Sequence, residues 1–202
     1  MTAARTEFTP DRTDTRGFYR LLTAVIVPRP IAWVSSTSPS GVDNLAPHSF
    51  FTVSCVDPAI VQFTSVGRKD TLNNVEASGE FVISLAPEPL FEDINATSTD
   101  YPPEISEFDA VGLAREASTL VKPPRVADSP VALECRLHST LRLGDSVVVF
   151  GRVLLVAIAD NALVEGRPNV RRLQPLARLG GSEWCTVGEV RKIARVPYQP
   201  PA

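Results

Sequence analysis

A chain of 202 residues, 44% hydrophobic and 21% charged, is ample for one domain with a real core. Its net charge of −3 disfavours a nucleic-acid surface, and no apolar run approaches the roughly 18 residues of a membrane span. The 18 prolines argue against long helices, and the acidic balance with an N-terminus lacking an apolar signal core points to the cytoplasm.

Residues 1–15 are rich in Thr, Arg and Asp and read as a flexible N-terminal arm. Phe18–Thr23 has an apolar face and predicts a helical turn or two. Val25–Ile31 is extended, because each proline steers the residue before it away from helix. Ile31–Thr37 predicts a strand, and Ser38-Pro-Ser-Gly41 a turn. Asn44–Ser54 begins irregular and ends as a strand. Asp57-Pro58 turns the chain into a strand over Ile60–Thr64. Gly67 breaks that strand, Arg68 and Lys69 follow, and Thr71–Ser78 predicts a helix ended by Gly79. Glu80–Leu85 has high β-propensity, and Leu90–Ala96 has a short helical pattern. Residues 97–130 form a Pro-rich excursion, of the kind used as a lid or contact arm, with a short helix at Glu107–Val111. Val131–Leu143 alternates as a half-buried strand should, Gly144-Asp145 makes a hairpin turn, and Ser146–Ile158 returns. Gly151 within the return strand predicts a bend or bulge. A short helix at Arg171–Pro175 and a mixed stretch to Val196 close a domain spanning 16–196, with a tail at 197–202.

Six or more strands, short helices and no βαβ alternation predict a mainly β protein built as an antiparallel barrel. There is no Gly-x-Gly-x-x-Gly turn, so a dinucleotide would not bind in the Rossmann manner. Cys55, Cys135 and Cys185 are odd in number and far apart. With no Cys-x-x-Cys they read as buried small side chains, and no metal site is expected.

The stretch with chemical content is the one from Gln62 to Asn74. A strand, a turn bearing Arg68 and Lys69, and a helix start at Asp70-Thr71 present free backbone N–H groups, a dipole and cations to an anion such as phosphate. A helix capped by Asp70, with Arg68 and Lys69 merely solvated, fits the same spacing. Two further segments carry polar groups: the hydroxyls Ser35, Ser36 and Thr37, and Asn44-Leu-Ala-Pro-His-Ser49. Brought to one end of a barrel, the three would suit a planar heterocycle with a phosphate tail.

Taken with their order, these segments resemble the flavin reductase-like, FMN-binding split-barrel family, flavoredoxin-type members included. The likeness rests on Pro28-Arg-Pro-Ile31, Gly41, Asn44-Leu-Ala-Pro-His-Ser-Phe-Phe51, Asp57-Pro58, Arg68-Lys-Asp-Thr-Leu-Asn-Asn74 and Glu80-Phe-Val82. It continues through Glu107-Phe108, Leu133-Glu-Cys135, Gly144-Asp145, Gly151-Arg-Val153 and Arg178-Leu-Gly-Gly181. The resemblance implies a homodimeric split β-barrel of Greek-key type that binds FMN, or FAD. It implies ribityl or ring contacts from Ser35, Ser36 and Thr37. Asn44, Leu45, Ala46, His48 and Ser49 would lie along the ring, mostly through backbone. Arg68, Lys69 and Thr71 would clamp the phosphate, with Asp70 fixing the turn. It implies an NAD(P)H-dependent flavin reductase, passing hydride from nicotinamide to flavin N5, with the reduced flavin serving a partner monooxygenase. The alternative is an FMN-binding electron carrier or flavin-storage protein without a nicotinamide site. Two positions depart from reductase members: Ser146 stands where Gly-Asp-His is common, and Trp184 where tyrosine is common. No catalytic side chain is assigned.

Overall fold

The computed structural model describes residues 3–198. Residues 1–2 of the expected arm and 199–202 of the expected tail lie outside the described residues. The main elements are α1 (Thr15–Val25), β1 (Ala32–Thr37), β2 (Asp43–His48), β3 (Phe51–Cys55), β4 (Ile60–Val66) and α2 (Asp70–Ser78). After them come β5 (Glu80–Leu85), α3 (Phe91–Ala96), α4 (Glu107–Val111), β6 (Val131–Leu143) and β7 (Ser146–Ile158).

The seven strands form one antiparallel sheet in the order β2-β1-β5-β6-β7-β4-β3. Its two outer strands, β2 and β3, are consecutive in the chain, so Ser49-Phe50 joins the two edges. The sheet therefore curls, and the imidazole of His48 on β2 meets the ring of Phe63 on β4 at 4.7 Å. This is the mainly β split barrel expected from the sequence.

Strand β1 is buried on both faces, so its first half, Ala32-Trp-Val34, is apolar without alternation, and Ser35 and Ser36 are buried too. Ala32 and Val34 enter the barrel core with Phe63, Leu72, Val75, Phe81 and Val149. Trp33 points the other way, into a second core with Leu45, Ile94, Phe108 and Val126. Thus α2 plugs one layer, while α3, α4 and the excursion cover the other.

Three expectations need correcting. Asn44–His48 is not irregular: β2 pairs residue for residue with β1, from Ala32↔His48 to Thr37↔Asp43. Pro47 is tolerated because β2 is an edge strand. The first helix is longer than Phe18–Thr23, starting at Thr15 under a cap in which Asp14 Oδ1 accepts from Gly17 N at 2.9 Å. The 97–130 excursion is a packed cover, with Phe108, Leu113 and Val126 buried.

That cover is pinned by two buried carboxylates. Glu134 on β6 accepts from Thr119 N (2.8 Å) and Leu120 N (2.5 Å) and pairs with Arg125 Nη2 (2.5 Å). Glu107 on α4 accepts from Leu45 N of β2 at 2.8 Å.

Gly151 marks the predicted bulge. Phe150 faces Ser139 and Gly151 faces Leu137, leaving His138 as the extra residue. A Cβ at Gly151 would sit 2.2 Å from Phe81 Cζ. Phe81 is wholly buried and cannot swing aside. Gly151→Ala should therefore cost about 1–3 kcal/mol of stability, read by urea unfolding, and Phe81→Leu should recover part of it. An unchanged midpoint in Gly151→Ala would contradict this packing.

Candidate functional site

A cleft of about 460 Å³ opens where the end of β2, the Ser49-Phe50 link, the end of β4, the start of α2 and the 97–103 segment converge. Its volume falls in the usual range for small-molecule sites.

The anion-seeking end is built by a turn. Strand β4 ends at Val66. Gly67 takes φ 75°, a left-handed value that suits glycine, and its N–H donates to Asp145 O at 3.0 Å. Ser65 Oγ braces the turn from inside by donating to Gly67 O at 2.9 Å. Lys69, extended at φ −124° and ψ 172°, is the N-cap of α2 and makes no side-chain cap bond. The cap is thus Lys69 and not Asp70, which is the first helical residue. The first α2 bond is Asn73 N to Lys69 O, so the N–H groups of Asp70, Thr71 and Leu72 have no partner within the helix.

Two amide–hydroxyl bonds aim this helix. Asn44 Nδ2 donates to Thr71 Oγ1 at 2.9 Å, and Asn74 Nδ2 donates to Ser36 Oγ at 3.3 Å. Thr71 accepts from Asn44, so its own hydroxyl proton stays free for a further acceptor. Both cations of the turn have carboxylate partners. Arg68 pairs with Glu76, and Lys69 Nζ lies 2.7 Å from Asp100 Oδ1. Lys69 holds the Asp100 carboxyl below its ordinary range, by hydrogen bond and then by charge.

Two titratable groups in the wall are shifted by burial. Burial lowers His48 to about 4, against a hydrogen bond with the Thr64 backbone that raises it, and the charge of Lys69 adds to the lowering. His48 is therefore a neutral ring at physiological pH, and its buried Nε2 has no partner among the described residues. Burial raises Glu107, the Leu45 N–H draws it back, and the charge of Asp70 adds to the rise.

Of the residues picked out in the sequence, Asn44, Ala46, His48, Ser49, Arg68, Lys69, Asp70 and Thr71 line this one cleft. Ser35, Ser36, Thr37 and Leu45 do not. Ser35 Oγ donates to Pro124 O, Ser36 Oγ receives Asn74, and Thr37 Oγ1 donates to Asp43 Oδ1 at 2.8 Å. The Leu45 side chain is in the second core. Of these four, Ser36 reaches the helix that builds the cleft, Ser35 and Leu45 serve the cover and the second core, and Thr37 bonds within its own hairpin. Sequence reasoning passed over Tyr19, Thr64, Glu107 and the 97–101 run, all of which line it. The pair Thr64-Ser65, polar at the end of an apolar strand, was the one local signal available.

Cysteine placement is mixed. Cys135 is buried and its thiol is pushed up to about 12, first by burial and then by Glu134. Cys55 and Cys185 are half-buried rather than buried as expected.

The residues present fit a phosphorylated heteroaromatic ligand such as FMN. Unpartnered helix N–H groups, Lys69, Arg68 and the Thr71 hydroxyl form a donor set for phosphate. Ala46, Pro47, Phe50 and Val66 supply apolar wall, and the neutral His48 adds no charge to it.

The chain belongs to the flavin reductase-like domain family, whose model matches residues 24–175. An uncharacterized protein of Aquifex aeolicus is 38% identical over 181 residues, covering 87% of this chain and 92% of that one. Among solved structures, nitrilotriacetate monooxygenase component B from Bacillus cereus aligns at a TM-score of 0.91 and 30% identity, covering 95% of this chain and 100% of that one. The 2-nitrobenzoate 2-nitroreductase of Pseudomonas fluorescens aligns at 0.89 and 30% identity, covering 98% and 100%.

Proposed function

We propose that the chain holds FMN in this cleft and acts as an NAD(P)H-dependent flavin reductase. The observation that carries the reading is the uncapped N-terminus of α2, with Lys69 and Thr71 beside it, closing one end of an otherwise partly apolar cleft. The phosphate would lie against the N–H groups of Asp70, Thr71 and Leu72, with Lys69 neutralising its charge. Asn44 keeps Thr71 turned so that its hydroxyl donates to the ligand. Ala46, His48 and Ser49 would border the ring. FAD shares the ring and ribityl chain and is the alternative cofactor. A bound flavin supplies reversible two-electron chemistry; the protein orients it and excludes water. No lining side chain is assigned a proton transfer, and His48 stays uncharged above about pH 4.

Two further parts of the reading have separate support. A homodimer is supported by α1, whose Leu22, Val25 and Ile26 are 45%, 71% and 59% exposed. A partner monooxygenase, served with reduced flavin, is supported by the similarity to a monooxygenase component B. One observation favours a carrier without its own nicotinamide site: Ser146 Oγ is turned back onto Asp145 Oδ1 at 2.8 Å, where reductase members often present histidine.

The test is a visible spectrum with added FMN, then anaerobic NADH or NADPH. Bleaching of the flavin band at enzymatic speed is expected. A bound flavin reduced only by dithionite would select the carrier, and no flavin binding at all would refute both.

A further inference from the structure

The phosphate end of the cleft contains an acid that its proposed ligand would have to meet. Lys69 Nζ is 2.7 Å from Asp100 Oδ1, and both residues line the cleft. Asp100 lies in the segment that follows α3, not on the turn that carries Lys69. Its side chain is 84% exposed, and Lys69 is the one hydrogen-bond partner it has among the described residues. The segment is anchored at its base, where Thr97 Oγ1 accepts from Trp33 Nε1 and donates to Ile94 O, each at 2.9 Å. Beyond Thr97, Ser98 Oγ turns back to Asn95 O, and the backbone contact of Tyr101 is local, to Thr99 O. Among the described residues, Lys69 is thus what holds the Asp100 carboxylate in place.

The charges around it sharpen the point. Asp70 and Glu107 line the same cleft, and Arg68 is taken by Glu76. Lys69 is therefore the cation at this end not already committed to its own helix. A second anion arriving there meets a carboxylate in possession.

We propose that Asp100 is a specificity-determining residue, a built-in anion that holds Lys69 in the ligand-free protein and must yield it to the phosphate of the ligand. The inference rests on the phosphate reading of this cleft. Asp100 penalises a ligand in proportion to the negative charge it brings to Lys69 and leaves a neutral ligand untouched. It thereby weakens the grip on FMN without touching the grip on the ring. As the phosphate departs, Asp100 takes Lys69 back. The device sets how readily a flavin exchanges.

The experiment compares the full chain with Asp100→Asn, an exposed substitution that leaves the fold alone. FMN and riboflavin affinities are measured by flavin fluorescence at low salt. The Asp100 carboxyl is followed by carbon NMR through a pH titration, with and without saturating FMN. Asp100→Asn should bind FMN about fivefold more tightly and riboflavin unchanged; added salt should shrink the gain. The Asp100 carboxyl, held low by Lys69 in the free protein, should move up when FMN is bound. Equal FMN affinity in the two proteins, or a carboxyl that does not respond to FMN, would overturn the role of Asp100 while leaving FMN binding in place. Absence of FMN binding in both proteins would instead overturn the reading on which it rests, and this inference with it.

Discussion

Lys69→Ala should weaken FMN binding about tenfold to hundredfold while changing riboflavin binding little. A charge-assisted bond to phosphate is worth about 1.5–3 kcal/mol, which converts to that range. Riboflavin carries the same ring and ribityl chain without the phosphate, so the pair isolates one end of the ligand. Lys69 is the right residue for the test because its side chain is 55% exposed and pairs only with the exposed Asp100 among the described residues. Thr71→Val would be ambiguous, since Thr71 is buried and its loss would strand the amide of Asn44. Arg68→Ala should matter less, because Arg68 is already held by Glu76 on α2. Equal losses for FMN and riboflavin in Lys69→Ala would remove the phosphate from this end of the cleft.

The turn that carries Lys69 was legible because everything in it is local. Gly67, two cations and a helix start lie within five residues, and the backbone there follows from neighbours in sequence. The β6–β7 hairpin was legible for the same reason: period-two alternation on either side of Gly144-Asp145 has few other solutions. Strand β2 was not, because Pro47 and the polar Asp43, Asn44 and His48 mask its period. Its extended form comes from pairing with β1. The hydroxyls Ser35 and Ser36 show the limit more sharply. Successive strand residues face opposite sides, so Ser35 reaches Pro124 of the cover while Ser36 reaches Asn74 of α2. Neither partner is near in sequence. Likewise Tyr19, Glu107 and the 97–101 run reach the cleft only through tertiary packing. The order of the 97–130 excursion comes from Glu134 and Glu107, whose bonds span from 9 to 62 residues of chain.

Glu134→Ala should be the most destabilising single change among those considered, by about 3–5 kcal/mol. The side chain is 0% exposed and does two things at once. It closes the N–H groups of Thr119 and Leu120, and it balances Arg125, whose guanidinium is also buried. Removing it strands two backbone donors and leaves Arg125 with Glu116 at the surface as its remaining acid, at 2.7 Å. Typical domains are stable by about 5–15 kcal/mol, so a loss of this size endangers folding at physiological temperature. Glu134→Gln keeps an acceptor and the side-chain volume and should lose less. The pH dependence separates charge from packing. Burial alone would raise Glu134, but the two N–H groups and Arg125 outweigh it and hold the carboxyl below its ordinary value. A carboxyl lower in the folded than in the unfolded chain adds stability at neutral pH that is lost as pH falls through its folded value. The gap between native protein and Glu134→Gln should therefore be full at pH 7 and narrow as the pH drops below about 4, toward that lowered value. Urea unfolding of both proteins across this range measures it. A gap that does not change with pH would mean that Glu134 serves the cover through shape alone and that its charge adds nothing.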